Sequence, residues 1–139
     1  MNEAAPLLRC GRFVLDLSQP RVMGIVNVTP DSFADGGRFD EAHAAIRHAE
    51  RLIEEGADLI DLGAESTRPG ATPVPEDVEV LRLTPVLVAL RDARVPISVD
   101  TMKPGVMARA LDAGESMVRD VASFASEASA EAVARADGA

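Results

Sequence analysis

The chain has 139 residues, 47% of them apolar, and a formal net charge of −9. That length and apolar content exclude a disordered tail and are enough for one domain with a real core. The acidic balance argues against nucleic acid, whose phosphates need a basic face, and leaves any anionic substrate to be held by Arg, backbone N–H groups or a metal ion.

Tyr and Trp are absent and there are four Phe, so the core must be built from Val, Leu, Ile, Ala and Met. Cys10 stands alone, which rules out an internal disulfide and suits a reducing compartment. The opening MNEAAPLLRCGRF lacks the apolar stretch of a signal peptide, and no run approaches the roughly 20 apolar residues of a spanning helix. A cytoplasmic location with no membrane partner is the expectation.

In chain order, residues 9–17 alternate weakly and lead into turn chemistry at 18–20, which predicts a short hairpin. Residues 21–27 form an apolar strand. Residues 40–55 place Ala42, Ala45, Ile46, Ala49, Leu52 and Ile53 on one helical face, and Gly56 stops that helix. A second strand follows at 57–63. A second helix spans 76–93, with Pro75 at its start, Glu76 and Asp77 at the positive end of its dipole, and Pro85 expected to kink it. Residues 95–100 are a third strand, and Pro104 opens a third helix that stops near Gly114. A fourth strand covers 115–121, and an Ala-rich helix covers about 129–137. Near-continuous apolar strands alternating with amphipathic helices predict a parallel sheet covered by helices, with no second domain.

In such folds sites form at the carboxyl ends of strands, and polar residues fall there four times. The first strand ends at Asn27 and opens into residues 29–37. The second runs into Glu65, Ser66, Thr67, Arg68, Pro69 and Gly70. The third ends at Ser98, Asp100 and Thr101, and the fourth carries Arg119 and Asp120. Asn27, Thr29 and Asp31 also read simply as turn formers before a helix, although Gly36 and Gly37 suit a closing lid. Hydroxyls beside Arg68 and Gly70 make an anion site or only a loop. Asp100 either pairs with a nearby cation or grips a planar pair of N–H groups on a ligand. Asp61, alone in an apolar strand, reads as a hydrogen-bonded structural group. His43 and His48 do not share a helical face and read as surface residues. Glu54, Glu55 and residues 76–79 read as solvated helix ends, and Cys10 as inert.

Three segments carry a resemblance. Residues 23–37, MGIVNVTPDSFADGG, resemble the first signature of the dihydropteroate synthases. Residues 58–70, DLIDLGAESTRPG, resemble the second, and residues 96–104, PISVDTMKP, the third-strand segment, in the same order and spacing. The likeness covers about residues 9–139. It implies the α/β class and the N-terminal half of a (β/α)8 TIM barrel, four β-α units after a short hairpin.

The family joins 6-hydroxymethyl-dihydropterin pyrophosphate to p-aminobenzoate, releasing pyrophosphate, in folate biosynthesis, with Mg2+ serving the pyrophosphate. Carried onto this chain, Asn27 becomes the metal and pyrophosphate ligand. Thr67, with Arg68 beside it, helps hold pyrophosphate and lines the p-aminobenzoate side, Ser66 is a further substrate-binding residue, and Phe33 and Pro69 pack around the p-aminobenzoate ring. Asp35 lies in the closing first loop. Asp100 accepts hydrogen bonds from the pterin and stabilises positive charge on it. The small-molecule substrates would be the pterin pyrophosphate and p-aminobenzoate, and the full-length enzyme a homodimer.

Two departures qualify the likeness. Where the family has a pterin-binding Asn, this chain has Arg119, which would clash with the pterin, repel the developing cation or be held down by Asp100 or Asp61. Contact with phosphate is the alternative role. A (β/α)8 barrel also needs about 250 residues, so residues 1–139 read as a partial pterin-binding domain truncated before the fifth strand and inactive alone. The other reading is a non-catalytic truncated paralogue, a small α/β pterin-binding or assembly module.

Overall fold

A computed structural model describes residues 4–28, 38–64, 70, 72–114, 117–119 and 126–134. The chain opens with a hairpin, β1 (Leu7–Cys10) against β2 (Phe13–Asp16), antiparallel with Leu8 opposite Leu15 and Cys10 opposite Phe13. Gly11 takes φ 57° in the turn, a conformation that costs glycine nothing because it has no Cβ.

The main body is a four-stranded parallel sheet in the order β3 (Met23–Asn27), β4 (Leu59–Gly63), β5 (Ile97–Asp100), β6 (Met117–Arg119). The helices are α1 (Arg38–Glu54), α2 (Glu76–Ala89), α3 (Pro104–Asp112) and α4 (Glu127–Ala134). Strand order follows chain order, as four successive β-α units of a barrel wall require. Each observed element overlaps its predicted span, with ends shifted by a few residues; α2 stops at Ala89 rather than near 93. It continues through Pro85, which lies with Leu81, one turn earlier, on the exposed side of the helix.

Side chains alternate across a strand, so each strand splits into a helix-facing set and an opposite set. The helix-facing residues Val26, Ile60, Leu62, Ile97 and Val99 pack with Ala42, Ala45 and Ala49 of α1, Leu83, Val86 and Leu87 of α2, and Val106 and Ala110 of α3. Small residues on α1 let it lie close to the sheet. At Gly24 an added Cβ would sit 2.9 Å from Leu52 Cδ1 and 3.0 Å from Ile60 Cδ1, so a larger residue here requires the ends of those two side chains to shift.

Glu79 corrects the reading of residues 76–79 as solvated. It is 1% exposed, because with Leu83 and Val86 it falls at i, i+4, i+7 on the buried face of α2. His43 and His48 are exposed, as their spacing suggested.

The amino ends of the strands are held by backbone-directed contacts. Arg12 donates to the carbonyls of Arg91 and Ala93 at 3.3 and 2.7 Å, tying the hairpin to the segment that leads into β5. Arg94 donates to the Ile53 carbonyl, and Asp58 accepts from the Val22 N–H at 2.8 Å. The hairpin therefore lies at the amino ends, and the opposite end of the sheet carries the site.

Candidate functional site

Parallel register aligns strand residues in rows. One row reads Asn27, Gly63, Asp100, Arg119; the row one step nearer the amino ends reads Ile25, Asp61, Ser98, with Met117 beside Ser98. All of these lie on the face turned away from the helix layer. At the β3 end of that face Ile25 is 59% exposed and Asn27 is exposed. Gly63 contributes no side chain, so a gap separates Asn27 from Asp100 at the carboxyl rim.

The other end of the rows is filled by a charged cluster. Arg119 Nε donates to Asp61 Oδ1 at 3.2 Å, and its Nη2 donates to Asp61 Oδ2 at 2.9 Å and to Asp100 Oδ2 at 3.0 Å. The guanidinium thus binds Asp61 through two nitrogens and shares one of them with Asp100. Ser98 donates its hydroxyl to Asp61 Oδ1 at 2.5 Å. Asp61 is 2% exposed, Asp100 20% and Arg119 43%, so the cluster deepens from the rim towards Asp61. The Asp61 hydrogen bond, then burial opposed by the charges of Asp61 and Asp100, leaves the Arg119 guanidinium above its ordinary pKa, and it stays charged at every working pH.

Beyond β5 the chain turns through buried Thr101, whose Oγ1 accepts the Lys103 N–H at 3.2 Å. Lys103 Nζ then meets buried Glu79 Oε2 at 2.8 Å, and Glu76 accepts the Gly105 N–H at the start of α3. These contacts brace the rim between α2 and α3. Sequence reasoning missed the Glu79–Lys103 pair; its signal was the position of Glu79 on the apolar stripe of α2.

Of the sequence-predicted site residues, the structure brings Asp100 and Arg119 into direct contact and sets Asn27 in the same row. Asp61 is buried and hydrogen-bonded, as read from its strand. Phe33, Asp35, Ser66, Thr67, Arg68 and Pro69 lie outside the described residues. Among the described residues no three His, Cys, Asp or Glu side chains cluster as a metal site, and no helix is long and apolar enough to cross a membrane.

A parallel sheet with its polar residues gathered at the carboxyl rim also matches known proteins. The model of the pterin binding enzymes matches residues 23–139. The chain belongs to the pterin-binding enzyme family.

Among curated relatives it is 46% identical over 129 residues to the dihydropteroate synthase of Neisseria meningitidis serogroup C, covering 91% of this chain and 46% of that protein. It is 52% identical over 101 residues to the dihydropteroate synthase of Bacillus subtilis (strain 168), covering 72% and 35%. Among solved structures, Xanthomonas albilineans dihydropteroate synthase with 4-aminobenzoic acid superposes with a TM-score of 0.86 at 51% identity, over 94% of this chain and 49% of that one. The Burkholderia cenocepacia enzyme complexed with 7,8-dihydropteroate gives 0.83 at 47% identity, over 96% and 44%. The chain therefore spans about half the length of the relatives it matches, and its four β-α units correspond to half of their barrels.

Proposed function

We propose that the protein serves dihydropteroate synthesis: transfer of the pterin-methyl group of 6-hydroxymethyl-dihydropterin pyrophosphate to p-aminobenzoate. The observation that carries this reading is the rim row. It sets Asn27 of β3 and the carboxylate residue Asp100 of β5 in one row on the same face of the parallel sheet, with bare Gly63 of β4 between them. A relative with 4-aminobenzoic acid and another with 7,8-dihydropteroate support the same substrates.

In the reaction the methylene C–O bond breaks and pyrophosphate leaves with the electron pair. The amine nitrogen of p-aminobenzoate forms the new C–N bond and loses a proton. No protein nucleophile is required, so the work is charge placement and water exclusion. Asp100 accepts N–H groups of the pterin edge and lies near the cation that develops as the C–O bond lengthens. Asn27 offers a neutral, hard oxygen where the pyrophosphate end would lie.

That donor fits Mg2+, which keeps several waters and takes few protein ligands when phosphate oxygens supply the rest. Bound there, Mg2+ would neutralise charge on the leaving pyrophosphate. Thr67, with Arg68 beside it, would help hold the pyrophosphate and line the p-aminobenzoate side, Ser66 would contact substrate, Phe33 and Pro69 would pack around the aromatic ring, and Asp35 would belong to the loop that closes over the reacting groups. The same reading places the protein in the cytoplasm and, at the length of its relatives, in a homodimer.

Calorimetric titration with 6-hydroxymethylpterin and pyrophosphate, with and without Mg2+, tests the reading. Pterin binding that strengthens with Mg2+ and pyrophosphate is expected; a folded protein that binds no pterin overturns it. A second reading, pterin binding without turnover, is favoured by the hold of Arg119 on Asp100. It predicts pterin binding with no release of pyrophosphate when both substrates are supplied.

A further inference from the structure

The cluster at the β6 end of the rim has an arrangement that the transfer reaction does not explain. A guanidinium presents a planar edge of N–H groups, the same kind of edge that an aminopyrimidinone ring presents to a carboxylate. Here that edge is already supplied by the protein. Arg119 Nη2 takes Asp100 Oδ2 at 3.0 Å, while Nε and Nη2 take both oxygens of Asp61 at 3.2 and 2.9 Å. The two holds are unequal. Asp61 is buried, receives two nitrogens of the guanidinium and accepts a third bond from Ser98; Asp100 is more open and receives one guanidinium nitrogen.

We propose that Arg119 is a specificity-determining gate, pivoting on Asp61 to open or close Asp100 to a ligand. Resting on the proposed pterin site, the inference deepens it. In the closed arrangement the guanidinium is an internal substitute for the ring edge. To bind, a heterocycle must take Asp100 Oδ2 from Arg119, and the guanidinium then remains on Asp61 through its other contacts.

The pivot has a physical basis. Leaving Asp61 would strand a buried carboxylate, whereas leaving Asp100 uncovers a carboxylate that the ligand or water can serve. Asp61 is thus a positioning residue. It keeps Arg119 within reach of Asp100, and it acts on the ligand only through Arg119. The gate selects for ligands whose N–H edge competes well with a guanidinium and against those offering a single N–H donor.

Titration of 6-hydroxymethylpterin into wild type and Arg119→Ala, which removes the guanidinium without adding a polar group, tests this. The variant should bind about ten-fold tighter or better, the factor expected when one charge-assisted hydrogen bond no longer has to be displaced. Equal or weaker binding by the variant overturns the gate and leaves the pterin reading standing. If neither protein binds pterin, the gate and the pterin reading fall together.

Should Arg119→Ala fail to fold, the double variant Asp61→Asn/Arg119→Ala removes the buried charge with its partner, and the same comparison applies. NMR of the Arg119 Nε–H in wild type tests the pivot directly. On pterin saturation the signal should shift yet stay protected from exchange, because Nε remains on Asp61. A signal unmoved by bound pterin, or one that loses protection, overturns it.

Discussion

The two faces of one sheet are built on opposite principles. Towards the helices, Val26, Ile60, Leu62, Ile97 and Val99 meet a close-packed aliphatic layer in which a single added methyl at Gly24 would collide. On the other face the same strands carry Asn27, Asp61, Ser98, Asp100 and Arg119 beside exposed Ile25. Packing stabilises the first face and leaves no room for a ligand. The second gives up dispersion contacts and holds itself together with charge-assisted hydrogen bonds, which a ligand can exchange for its own. Burial of Asp61 marks where the second face stops being negotiable, and the openness of Asp100 marks where exchange can begin.

The contrast makes graded predictions. Leu83→Ala, in the closed layer, should cost about 3 kcal/mol by lost transfer energy and a residual cavity. Urea unfolding measures it, and a loss under about 1 kcal/mol would show that the layer collapses to fill the space. On the polar face, Arg119→Met should cost about 2 kcal/mol, because Asp61 keeps its burial and loses its cation. That figure lies below the value for a wholly buried pair, since the exposed part of Arg119 is screened by water. Adding Asp61→Asn should restore most of the loss; if the double variant is no more stable than the single, the cost does not arise from the stranded carboxylate.

Smaller still is Gly24→Ala, expected to cost about 1–2 kcal/mol as Leu52 and Ile60 shift aside. A neutral result in thermal unfolding would mean that α1 can move off β3 freely.

Least costly is a chemical probe of the hairpin. Cys10 is fully buried, and burial pushes its thiol pKa up. Native protein at pH 8 should react with iodoacetamide far more slowly than urea-unfolded protein, as read by mass spectrometry. Because the folded pKa lies above the unfolded one, the stability linked to the neutral thiol is present below the unfolded pKa. It is lost as pH rises towards the folded pKa. Stability that rises with pH through this window at Cys10, judged against Cys10→Ala, would contradict the sign.

Much of this was legible in the chain. Apolar runs of strand length between helices of regular spacing give alternating β-α units, and polar residues at or just beyond the strand ends mark the rim. Position alone marks Asn27 and Asp100 as strand-end residues at the rim; their roles come only with the resemblance. Glu79 was misread because a run of acidic residues at a helix start looks solvated, while only the phase of the helix shows that its third acid turns inward. The possible hold of Asp61 or Asp100 on Arg119 could be imagined from sequence, but the choice of both at once could not.

By itself the sequence determined what depends on neighbours along the chain: the period of the apolar residues, the glycine turns, the residue that closes each strand. The tertiary structure decided what depends on register across the sheet. Residues 61, 100 and 119 sit on three different strands, and only the pairing of Gly63 with Asp100 and of Asp100 with Arg119 sets the rows. A long side chain on β6 can then cross β5 and reach Asp61 on β4. Because side chains alternate, a shift of one residue in either pairing would have turned a charge into the aliphatic layer, so the burial of that layer holds the cluster in place.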